Sequence, residues 1–91
     1  MSVELSPGAR PRLSRKVVFR HDQVRHADLL LLPERILKLN PTGGAIIRRC
    51  DGVRTIAEIA GELEVEFHRT GLSGAVEAFL GRMAEQGAIE A

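Results

Sequence analysis

The middle of the chain carries two apolar runs separated by a proline, in the segment LLLLPERILKLN at residues 29–40. A membrane-spanning helix needs about 20 apolar residues, and charged side chains interrupt this segment. An α-helix is disfavoured because Pro33 lacks a backbone N–H and pushes Leu32 towards extended backbone. The pattern therefore predicts a β-hairpin, with strands over residues 28–32 and 35–39 and a turn at Pro33 or slightly longer.

Side chains along a strand alternate between its two faces, so the leucines make both faces of the first hairpin strand apolar. Either the helices wrap around this strand or another molecule covers one side. The run KVVFR at residues 16–20 predicts a further strand before the hairpin. Residues 1–14 contain prolines and a glycine without an apolar period. We expect them to form a flexible tail, followed by a folded domain over residues 15–91.

Three helices are predicted after the hairpin, and each has a start or stop signal. Asn40 is a good N-cap with Pro41 behind it, Thr55 and Glu58 form a capping box, and Gly87 favours a left-handed stop. The helices are predicted over residues 41–50, 55–67 and 73–86. The element order predicts an α+β fold in which a three-stranded antiparallel sheet is followed by three helices.

Charge is unevenly distributed along the chain, although the net charge is only +1. Residues 1–25 carry six basic and two acidic side chains, whereas residues 55–91 carry two basic and seven acidic ones. The second predicted helix has no basic residue, and the third has Arg82 alone against Glu77 and Glu85. Acidic helices repel phosphate, and three phenylalanines without Trp or Tyr offer little base stacking. We expect no specific nucleic-acid partner.

Catalytic and metal-binding motifs are not indicated by the sequence. Cys50 is the single cysteine, which excludes an internal disulfide and a CxxC site. The three histidines lack the spacing of metal ligands, and small buried hydrophobe is the default role of Cys50. The N-terminus has no apolar signal region, so we expect a cytoplasmic protein without membrane attachment.

A resemblance to a known family appears along residues 29–63, LLLLPERILKLNPTGGAIIRRCDGVRTIAEIAGEL. The Leu-Pro-Glu turn, Leu-Asn before an apolar helix, Cys-Asp-Gly and Arg-Thr before Ala-Glu-Ile follow each other as in the pyrroloquinoline quinone biosynthesis protein D (PqqD) family. The likeness extends over about residues 15–90. Leu32 stands where the family often has an aromatic residue, and Gly43 and Gly44 stand where it often has alanine.

The resemblance implies a winged-helix-like domain without catalytic activity that binds the leader of a ribosomally made precursor peptide. It implies presentation of that peptide to a radical S-adenosylmethionine enzyme, whose iron–sulfur clusters and cofactor belong to the enzyme. No cofactor is implied for this chain. In related domains the peptide adds as a strand at the sheet edge and lies against the last helix. Carried onto this sequence, the peptide-binding residues would be Arg35, Ile36, Leu37, Lys38, Leu39, Val76, Phe79, Leu80 and Met83.

Other interpretations remain open at this stage. Related recognition elements of other modified-peptide pathways share the Leu-Asn and apolar-helix pattern. A self-associating scaffold, as a homodimer through the doubly apolar hairpin, is a second alternative. A DNA-binding winged helix and an enzyme have less support. The hairpin leucines and the apolar stripe of the third helix could also be hydrophobic core alone.

Overall fold

The computed structural model describes residues 5–91 and contains eight elements in chain order. They are β1 (Arg12–Leu13), β2 (Val18–Asp22), β3 (Ala27–Leu31), β4 (Ile36–Leu39), α1 (Pro41–Arg48), α2 (Ile56–Glu66), α3 (Ser73–Glu85) and β5 (Ile89–Glu90). Strands β2, β3 and β4 form an antiparallel sheet in that order, and β1 pairs with β5. The predicted α+β architecture is confirmed, with two short strands in addition.

The helix boundaries follow the predicted capping signals. Asn40 accepts a hydrogen bond from the Gly43 N–H at the start of α1, at 2.6 Å. At the start of α2, Thr55 and Glu58 each accept from the other's backbone N–H, as a capping box requires. After α3 the chain turns at Gly87, whose φ of 78° lies in the left-handed region.

The predicted hairpin is β3 and β4, joined by a four-residue connection in which the Leu32 N–H donates to the Arg35 carbonyl at 2.9 Å. The loop is therefore longer than the Pro33–Glu34 pair alone. Leu30 points towards the helices and is fully buried. On the opposite face Leu31 lies between its cross-strand partners Val18 and Ile36, which are 51% and 64% exposed. The helices thus cover one face of this sheet.

The hydrophobic core lies between the inner face of the sheet and the three helices. Its fully buried large side chains include Leu30 from β3, Leu63 from α2 and Leu80 from α3. Isoleucines of α1 and α2 and the C-terminal Ile89 join the same cluster. None of the helices within residues 5–91 has the length and apolar character needed to cross a bilayer.

The N-terminal segment differs from the predicted tail. Its carbonyls at Pro7 and Ala9 accept hydrogen bonds from the N–H groups of Ala57 and Ile56, at 3.0 and 2.9 Å. The first N–H groups of any helix lack a partner within the helix, and here residues before β1 supply partners for α2. Pro11 is fully buried, and β1 pairs with β5. Residues 5–14 are therefore packed on the domain, while residues 1–4 of the predicted tail lie outside the described residues.

Candidate functional site

β4 is one of the two edge strands of the three-stranded sheet. Within residues 5–91, β4 pairs with β3 and no strand occupies its other side. Antiparallel strands alternate between residues bonded to the partner and residues whose N–H and C=O point away from it. Because Leu32 and Arg35 are a bonded pair, Leu37 and Leu39 also bond to β3. The N–H and C=O groups of Ile36 and Lys38 therefore face the open edge.

A groove of about 230 Å³ lies between β4 and α3. Its apolar walls come from Leu37 and Leu39 on the strand and from Phe79 and Met83 on the helix. The remaining lining residues are Lys38, Asn40, Arg82 and Gln86. No carboxylate is among these lining residues. The groove therefore combines an apolar wall and the Arg82 charge with exposed strand backbone, while the Lys38 side chain shares the outer face of the sheet with Ile36.

Five of the nine predicted site residues line this groove together: Leu37, Lys38, Leu39, Phe79 and Met83. Leu80 is fully buried in the core, so its side chain is structural. Val76 is also buried and borders a neighbouring cavity instead. Arg35 lies in the turn before β4, and Ile36 presents its side chain on the outer face of the sheet.

Three groove residues were not predicted from the sequence: Asn40, Arg82 and Gln86. Arg82 and Gln86 follow Phe79 by three and seven positions, so helical periodicity places them on the same side of α3. The apolar stripe drew attention to hydrophobic side chains alone. The helical spacing of Arg82 and Gln86 from Phe79 could have identified them as groove residues.

A different arrangement surrounds the buried carboxylate of Asp28, which is the cross-strand partner of Leu39. Its Oδ1 is 2.7 Å from His21 Nδ1 and accepts from Arg48 Nη2 at 3.1 Å. Arg48 also lies over the Phe19 ring, 5.5 Å from its centroid. A Cβ on Gly44 would lie 1.9 Å from Asp28 Oδ2, so the glycine makes room for the carboxylate. This cluster ties β2 and β3 to α1.

The side chain of Cys50 is unsuited to nucleophilic or ligand chemistry. Burial, with a smaller contribution from the nearby Asp51 charge, raises the pKa of the Cys50 thiol to about 12. Its Sγ donates to the Ile46 carbonyl at 3.3 Å. Thiolate is the reactive form, so this protonated, buried thiol is inert at neutral pH. The described residues also contain no cluster of side chains that could hold a metal ion.

Comparison with known families matches residues 29–89 to the model described as coenzyme PQQ synthesis protein D (PqqD). The chain belongs to the PqqD family. The matched residues include β4, α1, α2 and α3, and hence both walls of the groove. The family resemblance indicated by the sequence is confirmed.

Individual relatives support the same assignment. A "PqqA binding protein" of Xanthomonas oryzae is 39% identical over 59 residues, 65% of this chain and 64% of the relative. This chain thus aligns with slightly less than two thirds of that relative's length. A "PqqA binding protein" of Rhodopseudomonas palustris is 30% identical over 88 residues, 94% of this chain and 86% of the relative.

A solved structure shares the fold of this family member. It is the solution NMR structure of the PqqD truncation of Methylobacterium extorquens PqqCD, described as a functional, stand-alone recognition element for a ribosomally synthesized and post-translationally modified peptide. The two chains are 29% identical, with a TM-score of 0.77 over 96% of this chain and all of the other.

Proposed function

We propose that this chain is a peptide chaperone without catalytic activity that binds the precursor peptide of pyrroloquinoline quinone. The peptide adds to β4 as a further antiparallel strand and lies in the groove against α3. One observation carries the proposal: the open backbone groups of Ile36 and Lys38 lie beside an apolar groove with a basic rim. Its relatives' name, PqqA binding protein, supports the same ligand.

Strand addition fits the chemistry of the groove. The backbone of Ile36 and Lys38 can exchange hydrogen bonds with a peptide of any sequence, while Leu37, Phe79 and Met83 select apolar side chains. Edge strands are open to pairing with another chain, and proteins commonly cover or blunt them. A ligand strand on β4 would satisfy these groups and bury the apolar wall.

The partner in the next step is proposed to be a radical S-adenosylmethionine enzyme with iron–sulfur clusters. The chaperone role assigns the chemistry to this enzyme, which agrees with the inert thiol of Cys50. The cytoplasm is the proposed compartment, because the precursor is a ribosomal product. A recognition element for another modified peptide would use the same groove, so the identity of the peptide needs its own test.

Self-association is a second candidate function, and the outer face of the sheet favours it. Val18, Leu31 and Ile36 form an apolar row across the three strands there. Arg20 and Lys38 flank Leu29 in the neighbouring row. A symmetric dimer through this face would bring like charges close together, which weakens this candidate relative to peptide binding.

An amide NMR titration of labelled protein with synthetic PqqA tests the proposal. Shifts concentrated along residues 35–39 and 76–86 are expected, with β2 and β1 changing little. A dilution series without peptide is the control, because self-association would move the outer residues Val18 and Ile36 with concentration. Binding of an unrelated modified-peptide leader with equal affinity would reassign the pathway, and no shift with any peptide would refute the chaperone role.

A further inference from the structure

A second cavity, of about 210 Å³, adjoins the groove beyond the end of β4. It lies between the start of α1, the last part of α2, and α3. Its lining residues are Asn40, Thr42, Gly43, Ile46, Leu63, Leu72, Ala75, Val76, Phe79 and Arg82. Pockets for drug-sized ligands are roughly 300–1,000 Å³, so this one suits a single large side chain.

The second cavity and the groove share the side chains of Asn40, Phe79 and Arg82. Phe79 is half-buried and stands at the boundary between them. Its ring packs closely on α1, since a Cβ on Gly43 would lie 3.2 Å from ring atom Cε2 and 3.3 Å from Cζ. The two spaces therefore form one continuous surface along α3, divided by an aromatic ring.

The charges on this surface are of one sign. Arg82 lines both cavities, Lys38 lines the groove, and neither set of lining residues contains a carboxylate. The remaining polar lining residues are Asn40 at the shared boundary, which caps α1, Thr42 in the second cavity and Gln86 in the groove. A ligand crossing this boundary would meet positive charge followed by apolar wall.

We propose that the second cavity binds one large apolar side chain of the peptide, located just outside the segment that pairs with β4. A peptide strand paired with Ile36 and Lys38 runs past Leu39 towards Asn40, where this cavity opens. An acidic peptide residue next to this apolar anchor would pair with Arg82. The inference rests on the proposed strand addition and adds the recognition element that sets the register of the peptide. A strand held by backbone hydrogen bonds alone can slip, whereas a filled pocket fixes one position.

Two alanines of α3 allow a matched test. Ala75 lines the second cavity but not the groove, whereas Ala78 lines neither, and both are exposed. Leucine is a strong helix former, so Ala75→Leu and Ala78→Leu should both keep α3 intact. The Ala75→Leu side chain fills the mouth of the cavity. Ala78→Leu adds the same isopropyl group at a position that lines neither cavity.

The experiment measures binding of synthetic PqqA, and of a series in which each large apolar residue of PqqA is replaced by alanine, to the three proteins. We expect Ala75→Leu to weaken binding of unaltered PqqA by about tenfold or more, because a leucine-sized contact is lost. Ala78→Leu should bind as the original protein does. One of the alanine-substituted PqqA peptides should bind weakly to the original protein, and its affinity should be no lower for the Ala75→Leu variant.

The outcomes separate this inference from the proposed function. If PqqA shifts the β4 amides and Ala75→Leu binds as tightly as Ala78→Leu, the anchor site is refuted and strand addition stands. The anchor site would also be refuted if Ala75→Leu weakened the binding of every alanine-substituted peptide by the same factor. If PqqA leaves the β4 amides of the original protein unchanged, strand addition itself fails.

Discussion

The two edges of the three-stranded sheet differ in what lies beside their open backbone groups. On β4 the outward groups belong to Ile36 and Lys38, next to a groove with apolar walls and a basic rim. On β2 the same alternation turns Phe19 and His21 outward. Their side chains are engaged by Arg48 and Asp28 of the domain itself. Both strands have an open edge, but β4 lies beside α3, and the side chains of α3 complete a groove that can select a ligand.

The difference also concerns how charge is used. Around Asp28, a buried carboxylate is compensated within the domain by Arg48 and His21. Arg82 on α3 lines both cavities and Lys38 on β4 lines the groove, and the lining residues of these cavities include no acid. The first arrangement fixes the sheet to α1, because a buried charge is tolerated only when it is paired. The second arrangement is complementary to an acidic, partly apolar peptide.

The largest effect is expected from removing one outward N–H of β4. Lys38→Pro deletes this donor where proline is tolerated, on an edge strand with its N–H facing away from the partner. We expect peptide binding to be lost while the fold, followed by circular dichroism and thermal unfolding, is retained. Lys38→Ala is the matched control, because it removes the charge and keeps the N–H. Calorimetric titration of both variants with PqqA should show lost binding for proline and a modest loss for alanine; equal affinities would contradict strand addition.

Two helical glycines test whether the Asp28 carboxylate is held rigidly against α1. Gly44→Ala places a methyl group against Asp28 Oδ2, whereas a Cβ on Gly61 meets nothing within 4 Å. We expect Gly44→Ala to lower the free energy of unfolding by about 1–3 kcal/mol through overpacking. Gly61→Ala should raise it by about 0.5–1 kcal/mol, because alanine is the better residue inside a helix. Urea unfolding measures both, and a stabilised Gly44→Ala would mean that Asp28 is not fixed.

A smaller effect on binding is expected from the rim charge. Exposed ion pairs contribute about 0.2–1 kcal/mol, so Arg82→Gln should weaken PqqA binding by at most about fivefold. The loss should shrink at high salt, since salt screens such pairs. Arg69→Gln, an exposed arginine at a residue lining neither cavity, is the control and should bind as before. A larger loss that is independent of salt would assign Arg82 a packing role instead.

The smallest effect is predicted at the start of α2, which lines neither cavity. Hydrogen bonds from the Thr55 backbone and side chain hold the pKa of Glu58 below its usual value. A carboxyl with a lowered folded pKa contributes stability above its unfolded pKa and loses it as pH falls through the folded value. Thermal unfolding from pH 7 down to about 3 should therefore decline less steeply for Glu58→Gln than for the original chain. Identical slopes would show that this carboxylate adds no pH-dependent stability.

Several features of the fold could be predicted because their signals are local. The caps at Asn40 and Thr55 and the stop at Gly87 each lie within one turn of the helix end that they define. The apolar runs on either side of Pro33 likewise predict the hairpin, although they left open whether the helices cover one or both of its faces. These signals were enough to place the edge strand and the last helix in one domain.

The missing parts depend on contacts between distant residues. Strands β1 and β5 are two residues each, too short for a period, and Arg12 pairs with Glu90 across nearly the whole chain. The packing of residues 5–14 depends on unpaired N–H groups at the start of α2, which no local pattern reveals. For the same reason the sequence did not separate groove from core on α3: Leu80 and Met83 share one stripe and are both buried, but only Met83 lines the groove.

Amide hydrogen exchange of the protein with and without saturating PqqA tests the central claim most directly. Strand addition predicts slower exchange at Ile36 and Lys38, whose N–H groups gain partners. Leu37 and Leu39, already bonded to β3, should change far less. The alternating pattern distinguishes a paired strand from a peptide that merely covers the surface. Slowed exchange at Phe19 and His21 instead, or no alternation along β4, would contradict docking at this edge.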